Sequence, residues 1–212
     1  MITMLPLSIL PLFLAASWTI NIAPGPDMLY VLTRSAGMGR LAGIVSALGI
    51  AVGCLIQTGI VALGLASLLT AVPLVYDFIK YAGAAYLIYL GLRTLLTSRH
   101  TLITPTVKPA SLWRIFLQGV ITNVLNPKVA LFFLAFLPQF TDPARGPIPL
   151  QLILLGTLFN ISGTLINSVV ALLASTFGSW LKRNARATTL LNWLSGGIFI
   201  GLGVRLALLK RQ

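Results

Sequence analysis

The residues Ala23-Pro24-Gly25-Pro26-Asp27 interrupt an apolar run that extends from Leu5 to Thr33. Each proline lacks a backbone donor and clashes with the carbonyl four residues earlier, so the carbonyls of Ile20 and Ile22 should be free of helical hydrogen bonds. Free carbonyls are tolerated in a bilayer only where protein or a water-filled cavity meets them. We therefore predict a broken membrane-spanning helix whose break serves a function.

The composition indicates an integral membrane protein. Hydrophobic residues make up 57% of the 212 residues, charged residues make up only 8%, and the mean hydropathy is +0.96. Soluble domains carry about 25% charged residues. The apolar segments are long and unbroken, whereas the strands of a membrane barrel would alternate over about ten residues. We therefore predict an all-α polytopic membrane protein.

The strong positive charge indicates membrane topology and not a nucleic-acid partner. Lys and Arg number 15 against 3 acidic residues, which gives a net charge of +12. In a soluble chain this excess would suggest nucleic-acid binding. Here the basic residues fall mostly between the apolar segments, as is typical of cytoplasmic loops. We expect no nucleic-acid partner.

Reactive side chains are too few for catalysis or metal binding. Cys54, the only cysteine, lies in an apolar segment, and His100, the only histidine, lies in a polar one. A disulfide or a Cys/His metal site needs several such residues, and a membrane-embedded enzyme needs a nucleophile and base or a metal. We therefore predict no enzyme activity, no catalytic residue, no metal and no cofactor.

Six apolar segments are long enough to cross a membrane, which takes about 20 residues. They cover approximately residues 5–32, 42–69, 74–96, 112–140, 150–181 and 190–209. The fourth segment, like the first, is interrupted, in this case at Asn126-Pro127-Lys128. A polar cytoplasmic linker, residues 98–111, separates residues 1–97 from residues 112–212. We predict one membrane domain of six spans, with spans 1 and 4 broken at proline motifs.

The two halves of the chain repeat. Pro26-Asp27 aligns with Pro127-Lys128 at a shift of 101 residues. A shift of 110 aligns Gly53 with Gly163 and Gln57 with Asn167, and a shift of 112 aligns Gly91-Leu92-Arg93 with Gly203-Val204-Arg205. Because each half has an odd number of spans, the second half must enter the membrane with opposite orientation. This is the inverted repeat of many secondary transporters.

The basic residues also predict the orientation. Nine lie in or beside the odd-numbered loops: Arg34, Arg40, Arg93, Arg99, Lys108, Arg114, Lys182, Arg183 and Arg186. Five lie on the other side: Lys80, Arg145, Arg205, Lys210 and Arg211. The positive-inside rule therefore places the odd-numbered loops in the cytoplasm and both termini outside.

The two breaks together predict a binding site for a zwitterion. Asp27 and Lys128 place one charge of each sign at equivalent points of the two halves. Lys128 and a half-helix N-terminus suit a carboxylate, whereas Asp27 and unwound carbonyls suit an ammonium group. Asp27 is also the one acid expected inside the membrane, and thus the candidate proton carrier. The other candidate residues for substrate binding or coupling are Asn21, Pro24, Gly25, Pro26, Gln57, Asn123, Asn126, Pro127 and Asn167.

Other interpretations remain open at this point. Asp27 and Lys128 could simply pair with each other, and breaking such a pair would destabilise the fold without any role in transport. The amides of spans 1, 2, 4 and 5 could be ordinary interhelical hydrogen bonds. The chain could also be a non-transport membrane protein with a packed core. A cation transporter of the same architecture would need more acidic or thiol ligands.

The motifs resemble those of the LysE/RhtB family of amino-acid exporters. The resemblance rests on Ala23-Pro24-Gly25-Pro26-Asp27, on Asn123 with Asn126-Pro127-Lys128, and on Phe132-Phe133 followed by Phe136-Leu137-Pro138-Gln139-Phe140. It implies a bacterial inner-membrane exporter of amino acids or their derivatives, driven by proton antiport and compatible with a homodimer. Because the chain has no Glu and a single acid near the break, a neutral substrate is favoured over a dibasic one.

Overall fold

The computed structural model describes Leu5 and residues 10–71, 73–96, 109–183 and 185–208. Within these ranges the chain is helical and contains no strand. The α-helices are α1 (Leu10–Ile22), α2 (Pro26–Met38), α3 (Arg40–Ala71), α4 (Pro73–Leu96), α5 (Leu112–Val124), α6 (Pro127–Phe136), α7 (Ile148–Arg183) and α8 (Ala185–Leu208). Two 3₁₀-helices, Leu137–Phe140 and Pro143–Arg145, lie between α6 and α7. Most of the predicted linker, residues 98–108, lies outside the described residues.

Both predicted breaks are present, and each has a local cause. Pro26 and Pro127 occupy the first helical positions of α2 and α6, where the missing N–H costs nothing and the fixed φ favours a helix start. The axes of α5 and α6 differ by 45°. Beyond the first break, α2 continues to Met38, and only Gly39, with φ of +90°, separates it from α3.

The helix lengths support the membrane assignment in part. By length and composition, α3 over Arg40–Gly64 and α7 over Ile148–Ala174 can each cross a membrane, and the bent pair α5–α6 gives a third candidate if counted as one span. The apolar helix α1 and the Gly196–Leu208 part of α8 are shorter. The structure therefore shows two or three candidate spans among the described residues, and the full set of six stays a prediction.

Helix α3 packs against α2, α5 and α7, and helix α4 packs against α6 and α8. The contacts of α4 with α8 are reciprocal. A Cβ at Gly91 would lie 2.7 Å from the carbonyl oxygen of Gly196, and a Cβ at Gly203 would lie 2.8 Å from that of Ala84. A shift of 112 residues relates Gly91 to Gly203 and Ala84 to Gly196, so the two contacts are equivalent in the predicted repeat. Small residues thus let these two helices approach at equivalent points.

An aromatic core fixes α6 beside α1 and α7. Six buried phenylalanines form it: Phe13, Phe132, Phe133, Phe136, Phe140 and Phe159. The ring of Phe132 lies 4.9 Å from that of Phe136 and 5.3 Å from that of Phe159, centroid to centroid. Such pairs contribute about 0.5–1.5 kcal/mol each beyond the area they bury. Because this core includes the residues that follow Pro127-Lys128, it holds the second break against the first.

Candidate functional site

The first break positions Asp27 at the start of a helix. Gly25 is the N-cap of α2 in an extended conformation, and Asp27 lies in the first turn. The partial positive charge of the helix N-terminus stabilises a carboxylate at this place. The Asp27 side chain is nevertheless buried, with 9% of its surface exposed. A buried carboxylate needs further partners, and these come from the second half of the chain.

Lys128 reaches across from the second break to the end of α1. Its ammonium Nζ donates hydrogen bonds to the carbonyl oxygens of Ile20 at 2.9 Å and Ala23 at 3.0 Å. These carbonyls form the negative end of the α1 dipole, which favours a cation. The sequence correctly predicted a free carbonyl at Ile20. The second carbonyl that binds Lys128 belongs to Ala23 and not to Ile22.

Gly25 allows this close approach. A Cβ added at Gly25 would lie 2.8 Å from the Lys128 Nζ and 3.2 Å from its Cε. Any larger residue would therefore push the ammonium away from the carbonyls. The glycine between the two prolines thus serves close contact and not a left-handed turn, because its φ of −166° is ordinary extended backbone.

Asp27 and Lys128 do not form a direct ion pair. Their charged atoms are more than 4.0 Å apart, whereas Arg145 and Asp142 in a loop form an ion pair at 3.2 Å. Asp27 instead accepts a hydrogen bond at Oδ2 from the Asn123 side-chain amide, at 2.9 Å. The two charges therefore do not satisfy each other by direct hydrogen bonding.

The second break has a neutral cap. Gln57 of α3 donates its side-chain N–H groups to the carbonyl oxygens of Asn123 and Val124, the last residues of α5. The Asn126 side chain accepts a hydrogen bond from the backbone N–H of Lys128 at 3.0 Å and so caps α6. These hydrogen bonds bring together five of the candidate residues: Asp27, Asn123, Asn126, Lys128 and Gln57.

Several buried polar atoms of this cluster have no partner. The atoms concerned are Asp27 Oδ1, Gln57 Oε1, Asn123 Oδ1 and Asn126 Nδ2, and the fifth such atom in the described part of the chain is Ser17 Oγ. Buried polar atoms without a hydrogen bond are rare in native structures and call for an explanation. Three of these atoms, on Asp27, Gln57 and Asn123, are acceptor oxygens without a donor in the described part of the chain, and such oxygens are the kind of group that an ammonium binds.

The remaining predicted residues lie elsewhere or act through the backbone. The Asn21 side chain bonds to the Phe159 carbonyl and the Ser162 hydroxyl of α7, which is the interhelical bond that the alternative interpretation expected. Asn167 is buried on α7, and no hydrogen bond joins its side chain to the described part of either break. Pro24, Pro26 and Pro127 are exposed and shape the chain at the breaks.

Sequence reasoning missed two features. Ser17 is fully buried on α1 with an unpartnered hydroxyl, and nothing in its apolar surroundings distinguished it. Tyr30 of α2 donates to the Ile115 carbonyl of α5 at 2.8 Å, and Arg34 donates to Gln118 of α5 at 2.7 Å. The spacing of Tyr30 and Arg34, one helical turn apart, could have indicated this second junction between the halves.

Comparisons with known proteins find similar sequences over nearly the whole chain. The sequence model of the family described as LysE type translocator matches residues 18–210. The chain is 32% identical over 193 residues to the uncharacterized membrane protein PA4757 of Pseudomonas aeruginosa, covering 89% of each. It is 31% identical over 201 residues to the leucine efflux protein of Salmonella typhimurium, covering 93% of this chain and 94% of that protein.

A homoserine/homoserine lactone efflux protein of Salmonella typhimurium is 28% identical over 195 residues, covering 92% of this chain and 94% of that protein. No solved structure matches the chain. The similar proteins therefore cover nearly the whole chain, including both breaks and the helices that carry the unpaired polar atoms.

Proposed function

The chain belongs to the LysE family of translocators and is a membrane transporter and not an enzyme; from this premise we propose that it exports amino acids or small zwitterionic derivatives across the bacterial inner membrane. Two similar proteins are named for the efflux of leucine and of homoserine or its lactone. All of these compounds are small and carry an amino group. The confirmed family resemblance thus supports the substrate class.

The observation that carries the proposal is the set of unpaired atoms between the breaks. Asp27, Gln57 and Asn123 offer three free acceptor oxygens, and Asn126 offers one free donor. A substrate ammonium has three N–H groups for such acceptors, and a substrate carboxylate accepts from the Asn126 amide. Lys128 adds a positive charge on the carboxylate side. The freed carbonyls of the first break are taken by Lys128, so the substrate ammonium binds at Asp27 and not at those carbonyls.

Proton coupling follows from competition at one carboxylate. Asp27 is the one buried carboxylate among the described side chains. It holds either a proton or the substrate ammonium, because both satisfy the same oxygen. When the site faces outward, a proton binds Asp27 and the substrate is released outside. When the site faces the cytoplasm, substrate binds Asp27 and the proton is released inside. This is proton antiport at a single site, with the intramembrane acid as the coupling group.

The inverted repeat of residues 1–97 and 112–212 gives a basis for alternating access. The reciprocal glycine contacts between α4 and α8 support it. So do two further contacts: Gly53 of α3 lies against Asn123 of α5, and Gly163 of α7 lies against Asn21 of α1. Six spans, cytoplasmic odd-numbered loops, outside termini and a homodimer complete the proposed organisation.

Efflux from cells preloaded with labelled neutral and basic amino acids tests the proposal. We expect export of a neutral amino acid that an uncoupler abolishes and that Asp27→Asn lowers about tenfold or more, because losing one partner of a buried charge contact costs several kcal/mol. Asp142→Asn, which removes an exposed loop carboxylate, is the matched control and should export like the wild type.

Two outcomes would contradict the proposal. Export that survives Asp27→Asn at equal protein amounts would remove Asp27 from coupling and binding. The absence of export of every amino acid and derivative in the panel would favour a membrane protein with a packed core, in which the two breaks only hold helices together.

A further inference from the structure

The ammonium of Lys128 occupies a cation-binding position at the end of α1, where a substrate ammonium would otherwise fit. We propose that its ammonium fills the position of a second cationic group and thereby excludes dibasic amino acids, which makes Lys128 a specificity-determining residue. This inference rests on the proposed export of zwitterions. It assigns Lys128 a role in substrate choice in addition to any attraction for the substrate carboxylate.

The geometry of the site is that of an ammonium receptor. Two backbone carbonyls, from Ile20 and Ala23, accept hydrogen bonds from Nζ at 2.9 and 3.0 Å. They lie at the C-terminal end of α1, where the helix dipole attracts cations. The bare backbone of Gly25 closes one side, since a Cβ there would lie 2.8 Å from Nζ. Only 8% of the Lys128 surface is exposed.

The ammonium position lies close to Asp27 along the chain. A Cβ at Gly25 would lie 2.8 Å from Nζ. The Cα atoms of Gly25 and Asp27, two residues apart, are separated by at most about 7 Å. A lysine or ornithine whose α-ammonium is bound at Asp27 has a side chain long enough to reach the two carbonyls. In the wild-type protein that position is already occupied by Lys128.

Charge balance leads to the same selectivity. Asp27 and Lys128 together carry no net charge, and a neutral amino acid adds none. A lysine substrate would add one uncompensated positive charge to a buried site, which is costly inside a membrane. Without Lys128 the site would carry the single negative charge of Asp27, and the extra charge of a dibasic substrate would then balance it.

The test is transport in proteoliposomes loaded with labelled leucine or labelled lysine. We expect the wild type to export leucine and not lysine, and Lys128→Met to shift the leucine-to-lysine rate ratio toward lysine by about tenfold or more. Lys128→Arg keeps the positive charge and should continue to exclude lysine. Arg145→Met removes a cation from an exposed loop, and it should leave the ratio unchanged.

A competition experiment on the wild type does not depend on the folding of any variant. Excess unlabelled leucine should inhibit export of labelled leucine, whereas excess lysine or ornithine should not. Comparable inhibition by lysine would overturn the inference, and so would a folded Lys128→Met protein that gains no lysine transport. If the wild type exports no amino acid at all, the proposed function fails first. Leucine export with an unchanged ratio in Lys128→Met refutes only the specificity role.

Discussion

The two helix breaks occupy equivalent places in the two halves, yet their ends are closed by different chemistry. The carbonyls that end α1 accept hydrogen bonds from the charged ammonium of Lys128, whereas the carbonyls that end α5 accept them from the neutral amide of Gln57. The helix that follows the first break begins beside an acid, and the helix that follows the second begins beside a lysine.

The difference teaches that two helix breaks of similar sequence can be closed by different side-chain chemistry. The dipole of α2 favours Asp27, but the dipole of α6 opposes Lys128, because a cation at a helix N-terminus is unfavourable. The C-terminus of α1 compensates for this by accepting the ammonium. Helix ends of the first half therefore favour both charges, and Asn123 of the second half adds a hydrogen bond to Asp27.

Exchanging the two charges should have the largest effect on export and on stability. In the double variant Asp27→Lys with Lys128→Asp, the new carboxylate would face the carbonyls of Ile20 and Ala23, which repel it. We expect export to be lost and the free energy of unfolding to fall by about 3–5 kcal/mol, the usual cost of an uncompensated buried charge. Denaturation in detergent and vesicle transport measure both effects. Retention of export would mean that only the presence of both charges matters, and not their places.

Removing the neutral cap should have a smaller effect. Gln57→Leu leaves the carbonyls of Asn123 and Val124 without their side-chain donor, so we expect the free energy of unfolding to fall by about 1–2 kcal/mol. Its counterpart in the repeat, Asn167, has no bond to either break, and Asn167→Leu should cost less than half as much. The same denaturation assay compares them. Equal losses would show that the two halves are capped alike, contrary to the observed asymmetry.

Displacing Lys128 without removing it should have the smallest effect on stability. In Gly25→Ala the new Cβ would overlap Nζ, and the flexible lysine can withdraw from the carbonyls, at a cost of about 1 kcal/mol for the lost hydrogen bonds. Export of a neutral amino acid should fall clearly all the same. Gly201→Ala on α8, where a Cβ meets nothing within 4 Å, is the matched control. Equal export by the two variants would contradict the close contact of Lys128 with Gly25.

Much of the fold was predictable because helix starts and breaks are local events. Pro26 and Pro127 begin helices where the sequence placed them, and α3 and α7 begin and end within a few residues of the predicted spans. The candidates Asp27, Asn123, Asn126, Lys128 and Gln57 lie together, whereas Asn167, which the repeat aligned with Gln57, has no hydrogen bond to the described part of either break. The partner of each side chain did not follow from the sequence, since hydrogen bonds across 66 to 108 residues of chain depend on how the helices pack.

The sequence by itself determined the membrane class, the two breaks, the family and the opposite charges, because composition and proline chemistry act over a few residues and need no neighbours. Tertiary structure alone decided that Lys128 binds the carbonyls of α1 and that Asp27 keeps one oxygen free. The physical reason is competition for partners. Within the buried junction each donor bonds the acceptor that the packed aromatic core and the glycine contacts bring within about 3 Å, and no local pattern records which acceptor that will be.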